Sequence, residues 1–183
     1  MKKHFALLVV AVAATSLLAA QARAEFPANV KVVKAEKGKT VSVGGKLEEG
    51  APIEDLSWAA TSSMACWPAT QNTKFRGNHV LFATQLPPNS VLSIKVVPKD
   101  PAADLSLWGY QVGPDNFRLP PKIESAVACE AEHKWDRPKK GRTQDHTRTI
   151  EFNSIKNPYQ VVIGVAGPKD VKAGEFTLEI TLK

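Results

Sequence analysis

Towards the C-terminal part of the chain, apolar and polar residues alternate with a period of two. In Glu175–Leu182, Phe176, Leu178, Ile180 and Leu182 fall on one side, and Thr177, Glu179 and Thr181 on the other. This pattern makes a strand with one buried face and one face in water. Tyr159–Val165 is more evenly apolar, which predicts a central strand. The Gly167–Gly174 segment then turns the chain back, so the two runs read as a terminal hairpin.

The same signal recurs upstream. His79–Leu86 and Ser90–Val97 flank Pro87-Pro88-Asn89, three residues that favour a turn, and Leu92, Ile94 and Val96 face inward. In Asp104–Val112, Leu105 and Leu107 lie on one side, with Trp108 and Tyr110 on the other. Thr149–Ile155, Lys39–Val43 and Val30–Val33 are shorter runs of the same kind. Ile53, Leu56 and Ala60 have helical spacing, so one short helix is expected near 53–65, stopped by Cys66-Trp67-Pro68. All 13 prolines and 11 glycines lie beyond residue 24, mostly between the runs. The chain reads as an all-β sandwich or barrel of one domain.

The first 24 residues have a different character. Lys2 and Lys3 precede the unbroken apolar run Phe5–Ala14, and Ala22-Arg23-Ala24 offers small residues at both positions a signal peptidase reads. Residues 1–24 are therefore expected to be a signal peptide and 25–183 the mature domain. Phe5–Ala20 spans only 16 residues and includes Thr15 and Ser16, short of the roughly 20 apolar residues that cross a bilayer. No membrane span is expected once the leader is removed. The Lys-Lys start and Ala-rich core look bacterial, which implies a periplasmic or secreted protein. Lys2, Lys3 and Arg23 leave with the leader, so the net charge falls from +6 to +3. That charge gives no argument for a nucleic-acid partner, and export argues against one.

Cys66 and Cys129 are the only cysteines. In an oxidising compartment they are expected to form a disulfide, since neither belongs to a CxxC pair or a metal-ligand spacing. The closed loop of about 64 residues would be worth roughly 4 kcal/mol through the entropy of the unfolded chain.

Several segments together resemble bacterial pre-peptidase C-terminal domains. They are Gly38–Leu47, Phe75–Phe82 with the following Pro-Pro turn, Ser90–Pro98, Asp104–Tyr110, Tyr159–Gly167 and Gly174–Leu182. The resemblance spans most of the mature chain and rests on strand patterns with turn glycines. It implies a jelly-roll-like antiparallel β-sandwich, usually appended to secreted peptidases and not itself catalytic. It also implies calcium as a possible cofactor at a strand entrance, where Asp100 and Asp104 bracket Pro101-Ala-Ala. Without a dense Asp/Asn cluster, turn-capping is the simpler role for both carboxylates, and no metal site is expected. The sequence departs from the family in having no peptidase domain between the leader and these motifs. It also carries a long polar insertion at about 129–148.

That insertion holds the candidate ligand-binding residues His133, Trp135, Asp136, Arg137 and His146, with Glu130, Glu132 and Asp145 nearby. A tryptophan among cations is suited to stacking on a sugar ring or a partner side chain. The plainer reading is a solvated hairpin tip, with Trp135 folded down as a lid on the sheet. His133 and His146 match no established metal-ligand spacing. Elsewhere, Ser62, Ser63 and Ser93 lack a GxSxG or SxxK context, and HExxH, P-loop and GxGxxG motifs are absent. His79 reads as a structural strand histidine, and Trp58, Trp67 and Trp108 read as core or sheet-face residues.

No catalytic residues are expected. The resulting expectation is an exported, non-catalytic binding or accessory module of the bacterial envelope, recognising a glycan or a protein through its loops. Two alternatives stand beside it. One is a metal-dependent hydrolase using the His133/His146 loop. The other is a structural subunit packed on another exported protein.

Overall fold

Among the described residues the chain forms ten strands, eight of them from the apolar and alternating runs. They are β1 (Val30–Val32), β2 (Thr40–Lys46), β3 (Ala51–Pro52), β4 (Asn78–Leu86), β5 (Ser90–Pro98), β6 (Ser106–Val112), β7 (Ala128–Glu132), β8 (Arg148–Ser154), β9 (Tyr159–Ala166) and β10 (Glu175–Leu182). The computed structural model describes residues 25–61, 64–123 and 125–183. The expected leader, residues 1–24, lies outside the described residues, as do Ser62 and Ser63. Among the described residues, helix is confined to one α-helical turn, α1 (Trp58–Thr61), and 3-10 turns at Leu47–Glu49 and Ala69–Lys74. α1 lies where a short helix was expected, with Trp58 and Ala59 buried.

The strands form two facing sheets. The larger has the order β1-β4-β9-β6-β7, with β3 also beside β4, and the smaller has the order β2-β10-β5-β8. Neighbours run antiparallel except β1, which lies parallel to β4 through Val30↔Leu81 to Val32↔Ala83. The architecture is a β-sandwich, as the alternation predicts. β3 and β7 are the strands without an alternating run. β3 is two residues long, and β7 lies in the polar stretch read from the sequence as an insertion.

The expected terminal hairpin does not form. β9 pairs with β4 and β6 in one sheet, whereas β10 pairs with β2 and β5 in the other. Alternation identifies which face is buried but not which strand lies alongside. The connecting segment meets its backbone hydrogen bonds elsewhere. Gly77 N–H donates to Gly167 O, Asn78 N–H to Val171 O and Leu47 N–H to Gly174 O. The buried Asn78 amide reinforces this knot, donating to Leu47 O, Gly50 O and Lys172 O at 3.0–3.2 Å. Pro87–Asn89 likewise carries the chain from β4 in one sheet to β5 in the other, with Asn89 at φ 51°.

Both faces of the larger sheet are buried. Its inner face meets the smaller sheet in a core that includes Phe82, Leu105, Leu107, Ile163, Phe176, Leu178 and Ile180. Its outer face carries a second cluster of Trp58, Trp67, Phe75, Trp108, Tyr110 and Val162. β6 supplies both, Leu107 inward beside the preceding Leu105 and Trp108 and Tyr110 outward, and all seven of its residues are buried. Trp108 lies flat over Gly164 on the neighbouring strand, where a Cβ would come within 2.1 Å of the indole. Cys66 and Cys129 are disulfide-bonded with Cα atoms 5.1 Å apart, tying the segment after α1 to β7.

Candidate functional site

The chain leaves β7 at Glu132 and re-enters the sandwich at Arg148, so residues 133–147 form a loop between the two sheets' adjoining edges. Its return point is set by the alternation of β8. Arg148 stands in phase with Ile150 and Phe152, so its side chain points inward and is only 2% exposed. A buried guanidinium must be satisfied by hydrogen bonds. Nε donates to Leu105 O at 3.0 Å, and Nη1 donates to Asp145 O at 3.0 Å and Thr147 O at 2.8 Å. Nη2 lies 3.8 Å from Asp104 Oδ1. Burial lowers the Arg148 pKa, while the carboxylates of Glu132, Asp104 and Asp145 oppose that shift. The group stays a cation, because guanidinium does not deprotonate in proteins.

Asp104 fixes the other side of the loop base. Lys134 Nζ donates to its Oδ2 at 2.8 Å, and His146 Nδ1 lies 2.8 Å from its Oδ1. Burial alone would raise the Asp104 pKa. The hydrogen bond and charge of Lys134, then those of His146, outweigh it and hold the carboxyl below its ordinary range. Asp104 thus faces Lys134 from one end of the loop and His146 and Arg148 from the other. The Glu132 carboxylate accepts from Thr149 N–H, joining the β7 and β8 edges.

The outer part of the loop is anchored separately. Asp136 accepts from Lys74 at 2.8 Å and Gln71 at 2.9 Å, both on the 3-10 turn at Ala69–Lys74. The same two hydrogen bonds lower its pKa. His133 meets the Phe75 ring edge-on at 5.9 Å, with Nδ1 2.8 Å from Lys134 O. Trp135 joins neither hydrophobic cluster of the sandwich. Lys139 Nζ lies 4.1 Å from the centre of its ring, the Arg142 guanidinium lies 5.7 Å away, and its N–H donates to Gln144 Oε1 at 3.3 Å. Beneath it is a cleft of about 300 Å³ lined by Trp135, Arg142 and Arg148, the carboxylates Glu132 and Asp145, and the hydroxyls of Thr143, Thr147 and Thr149. Arg137, Lys139 and Lys140 are exposed beside it.

The structure therefore gathers the sequence candidates into one loop but assigns them different partners. His146 turns to Asp104, whereas His133 turns to Phe75. Among the described residues, no three His, Cys, Asp or Glu side chains converge as a metal-ligand set. Asp100 does not join Asp104. Its carboxylate accepts from Ala102 N–H at 2.9 Å and its carbonyl from Ala103 N–H at 3.0 Å, which makes a turn. The pattern that could have found Arg148 is visible in the sequence, as an arginine on the inward phase of Arg148–Ser154. Lys74 and Gln71 carry no such signal, because only the fold brings the 3-10 turn beneath the loop.

A second concavity lies at the opposite end of β6. It is an open groove of about 720 Å³ walled by Phe26, Phe117, Val32 and Tyr159, with Glu25 and Asp115 on its rim. Phe26 and Phe117 meet edge-to-face at 5.1 Å.

No family model and no curated protein sequence matches the chain. Among solved structures, the chain is similar to the pre-peptidase C-terminal domain of a collagenase from Bacillus anthracis. That match has 10% identity and a TM-score of 0.39, covering 87% of this chain and 100% of that one. It is also similar to a periplasmic inhibitor of g-type lysozyme from Aeromonas hydrophila, at 8% identity and a TM-score of 0.38, with coverage of 85% and 98%. A surface-associated copper-binding protein of Methylomicrobium album BG8 matches at 11% identity and a TM-score of 0.42, again with coverage of 85% and 98%. At such identities, residue roles do not transfer from one chain to another.

Proposed function

We propose that this chain is an exported, non-catalytic binding module of the bacterial envelope, and that its 133–147 loop takes up an anionic glycan. The observation that carries this reading is the Trp135 indole beside Lys139 and Arg142, over a cleft that offers both carboxylates and hydroxyls. An indole face supplies stacking area for a sugar ring. Carboxylates and threonine hydroxyls suit sugar hydroxyls, and the surrounding cations suit a uronate or phosphorylated sugar. The base is preorganised by Arg148 and Asp104, so little ordering cost falls on binding.

Affinity electrophoresis of the mature protein through gels containing polygalacturonate or neutral amylose tests the reading. Polygalacturonate is expected to retard the protein, and Trp135→Ala to abolish most of the retardation with its melting temperature unchanged. EDTA is expected to change nothing. Equal retardation by amylose, or an undiminished effect in Trp135→Ala, counts against the reading. A strong EDTA effect favours the metal-dependent hydrolase.

A second reading is favoured by the groove at the other end of the sheet. Its aromatic walls and two rim carboxylates fit an exported protein partner that presents apolar and basic side chains. Fixed-stoichiometry co-purification that is lost in Phe117→Ala and kept in Trp135→Ala supports that reading over the glycan.

A further inference from the structure

The loop and the groove lie at opposite ends of the sandwich, and their chemistries are complementary. The loop follows Glu132, which pairs with Leu107 at the start of β6, whereas the groove lies beside the Val112↔Gln160 pair at its end. The seven residues of β6 separate them, a span of roughly 20 Å.

The loop tip presents an indole and four cations. Lys139 and Arg142 lie over the Trp135 ring, and Arg137 and Lys140 are exposed beside them. None of these four cations has a carboxylate partner among the described residues. Asp136, the acidic residue of the tip, is already bound to Lys74.

The groove presents the reverse. Phe26 and Phe117 are half-buried, Val32 is 68% exposed, and Tyr159 completes the apolar wall. Glu25 and Asp115 stand exposed on the rim, and neither has a cationic partner among the described residues. Open aromatic surface edged by unpaired carboxylates favours a partner that brings an apolar body together with cations. The chain's own loop has that composition, but it is held at the far end of β6 by Asp136 and Lys74.

We infer that the groove of one molecule takes the loop tip of another, so that copies of this chain associate head to tail. Trp135 lies against Phe26 and Phe117, and the cations of the tip reach Glu25 and Asp115. Aromatic and arginine side chains seated in a concavity are the usual anchors of a protein interface. The inference rests on the reading of the groove as a protein-docking surface, and it names a second copy as the occupant. The two patches differ and face away from each other, so the contact is heterologous. Each contact leaves a free tip at one end and a free groove at the other, and molecules add in a row unless a ring closes.

Sedimentation velocity of the mature protein over a concentration series tests the inference. The weight-average mass is expected to rise past that of a dimer. Raising NaCl from about 0.05 M to about 0.5 M is expected to weaken association roughly tenfold, because the rim ion pairs are exposed to screening. Trp135→Ala and Phe117→Ala are each expected to weaken it by roughly tenfold or more. The decisive arm mixes these two variants in equal amounts. One keeps its groove and the other its tip, so the mixture is expected to form a one-to-one dimer and to stop there. Asp115→Lys, on the exposed rim, takes the place of Phe117→Ala if that variant fails to fold. A monomer throughout the series overturns the inference, as does a mixture that stays monomeric or undiminished association in Trp135→Ala. A monomer that retains another exported protein, with retention lost in Phe117→Ala, overturns the second copy as occupant and leaves the groove reading standing.

Discussion

The two faces of the six-stranded sheet are buried by opposite means. The inner face is covered by a second hydrogen-bonded sheet, and its cluster is aliphatic with phenylalanines such as Phe82, Phe152 and Phe176. The outer face is covered by irregular chain around α1, with Leu119, Ile123 and Ala126 packed against it ahead of β7. Its cluster holds three indoles, a tyrosine and Phe75, pinned by the Cys66–Cys129 bond. Polar atoms without partners mark the outer side more heavily. Trp58 Nε1, Trp108 Nε1 and His79 Nε2 are found there, against Thr84 Oγ1 on the inward phase of β4 and Arg148 Nη2 on that of β8. Two regular sheets satisfy their own backbones and need only apolar filling between them. Irregular cover must be held by side chains, so it recruits large aromatics and a covalent tie.

Three substitution experiments probe this contrast. The largest effect is expected at the inner face, where Phe176→Ala should cost about 3–5 kcal/mol in urea unfolding. Thr177→Ala, on the other side of the same strand, should stay within about 0.5 kcal/mol. Comparable losses from both would erase the assigned faces of β10.

Next is the covalent tie. Replacing Cys66 and Cys129 together by serine should cost up to about 4 kcal/mol. The loss should appear first as a change in near-ultraviolet circular dichroism from the indoles. Amide protection in β2, β5 and β10 should persist after amides next to α1 begin to exchange. Simultaneous loss of protection across both sheets would show that the outer layer is no separate unit.

The third probe uses pH. His79 titrates near 4 in the folded protein and near 6.5 when unfolded, because burial disfavours its charged form. The unfolded chain therefore binds the extra proton between those values, and stability falls as pH drops from about 6.5 to about 4. The full difference corresponds to about 3 kcal/mol. In His79→Phe that part of the decline should vanish, which denaturant midpoints measured at pH 7, 5.5 and 4 can establish. An identical decline in the variant would mean that His79 is not buried as neutral imidazole.

What the residues disclosed in advance follows the same contrast. Phe176, Leu178 and Leu107 announced their side through alternation, and the fold uses them accordingly. Tyr159–Val165 announced itself as central by being apolar on both phases, and β9 lies between β4 and β6. The outer layer gave only fragments, such as the spacing of Ile53 and Leu56 and the pair of cysteines. Its contacts join residues far apart in sequence without any periodic signature. The loop was legible as a polar stretch holding Trp135 and both histidines. The partners that orient it, Lys74, Gln71 and Asp104, come from three other places in the fold. The misread hairpin has the same origin, since pairing is a tertiary choice that a strand's own pattern does not encode.

The exchange of sheets between β9 and β10 has a consequence for how the molecule comes into being. β10 is the strand that joins β2 to β5, and its Thr181 hydroxyl meets that of Thr40 across 141 residues of sequence. Until β10 has been made and delivered, β2 has no strand to pair with in the smaller sheet. Completion of the smaller sheet thus waits on a pairing between segments far apart in sequence, the kind of contact that carries the largest loop-closure cost.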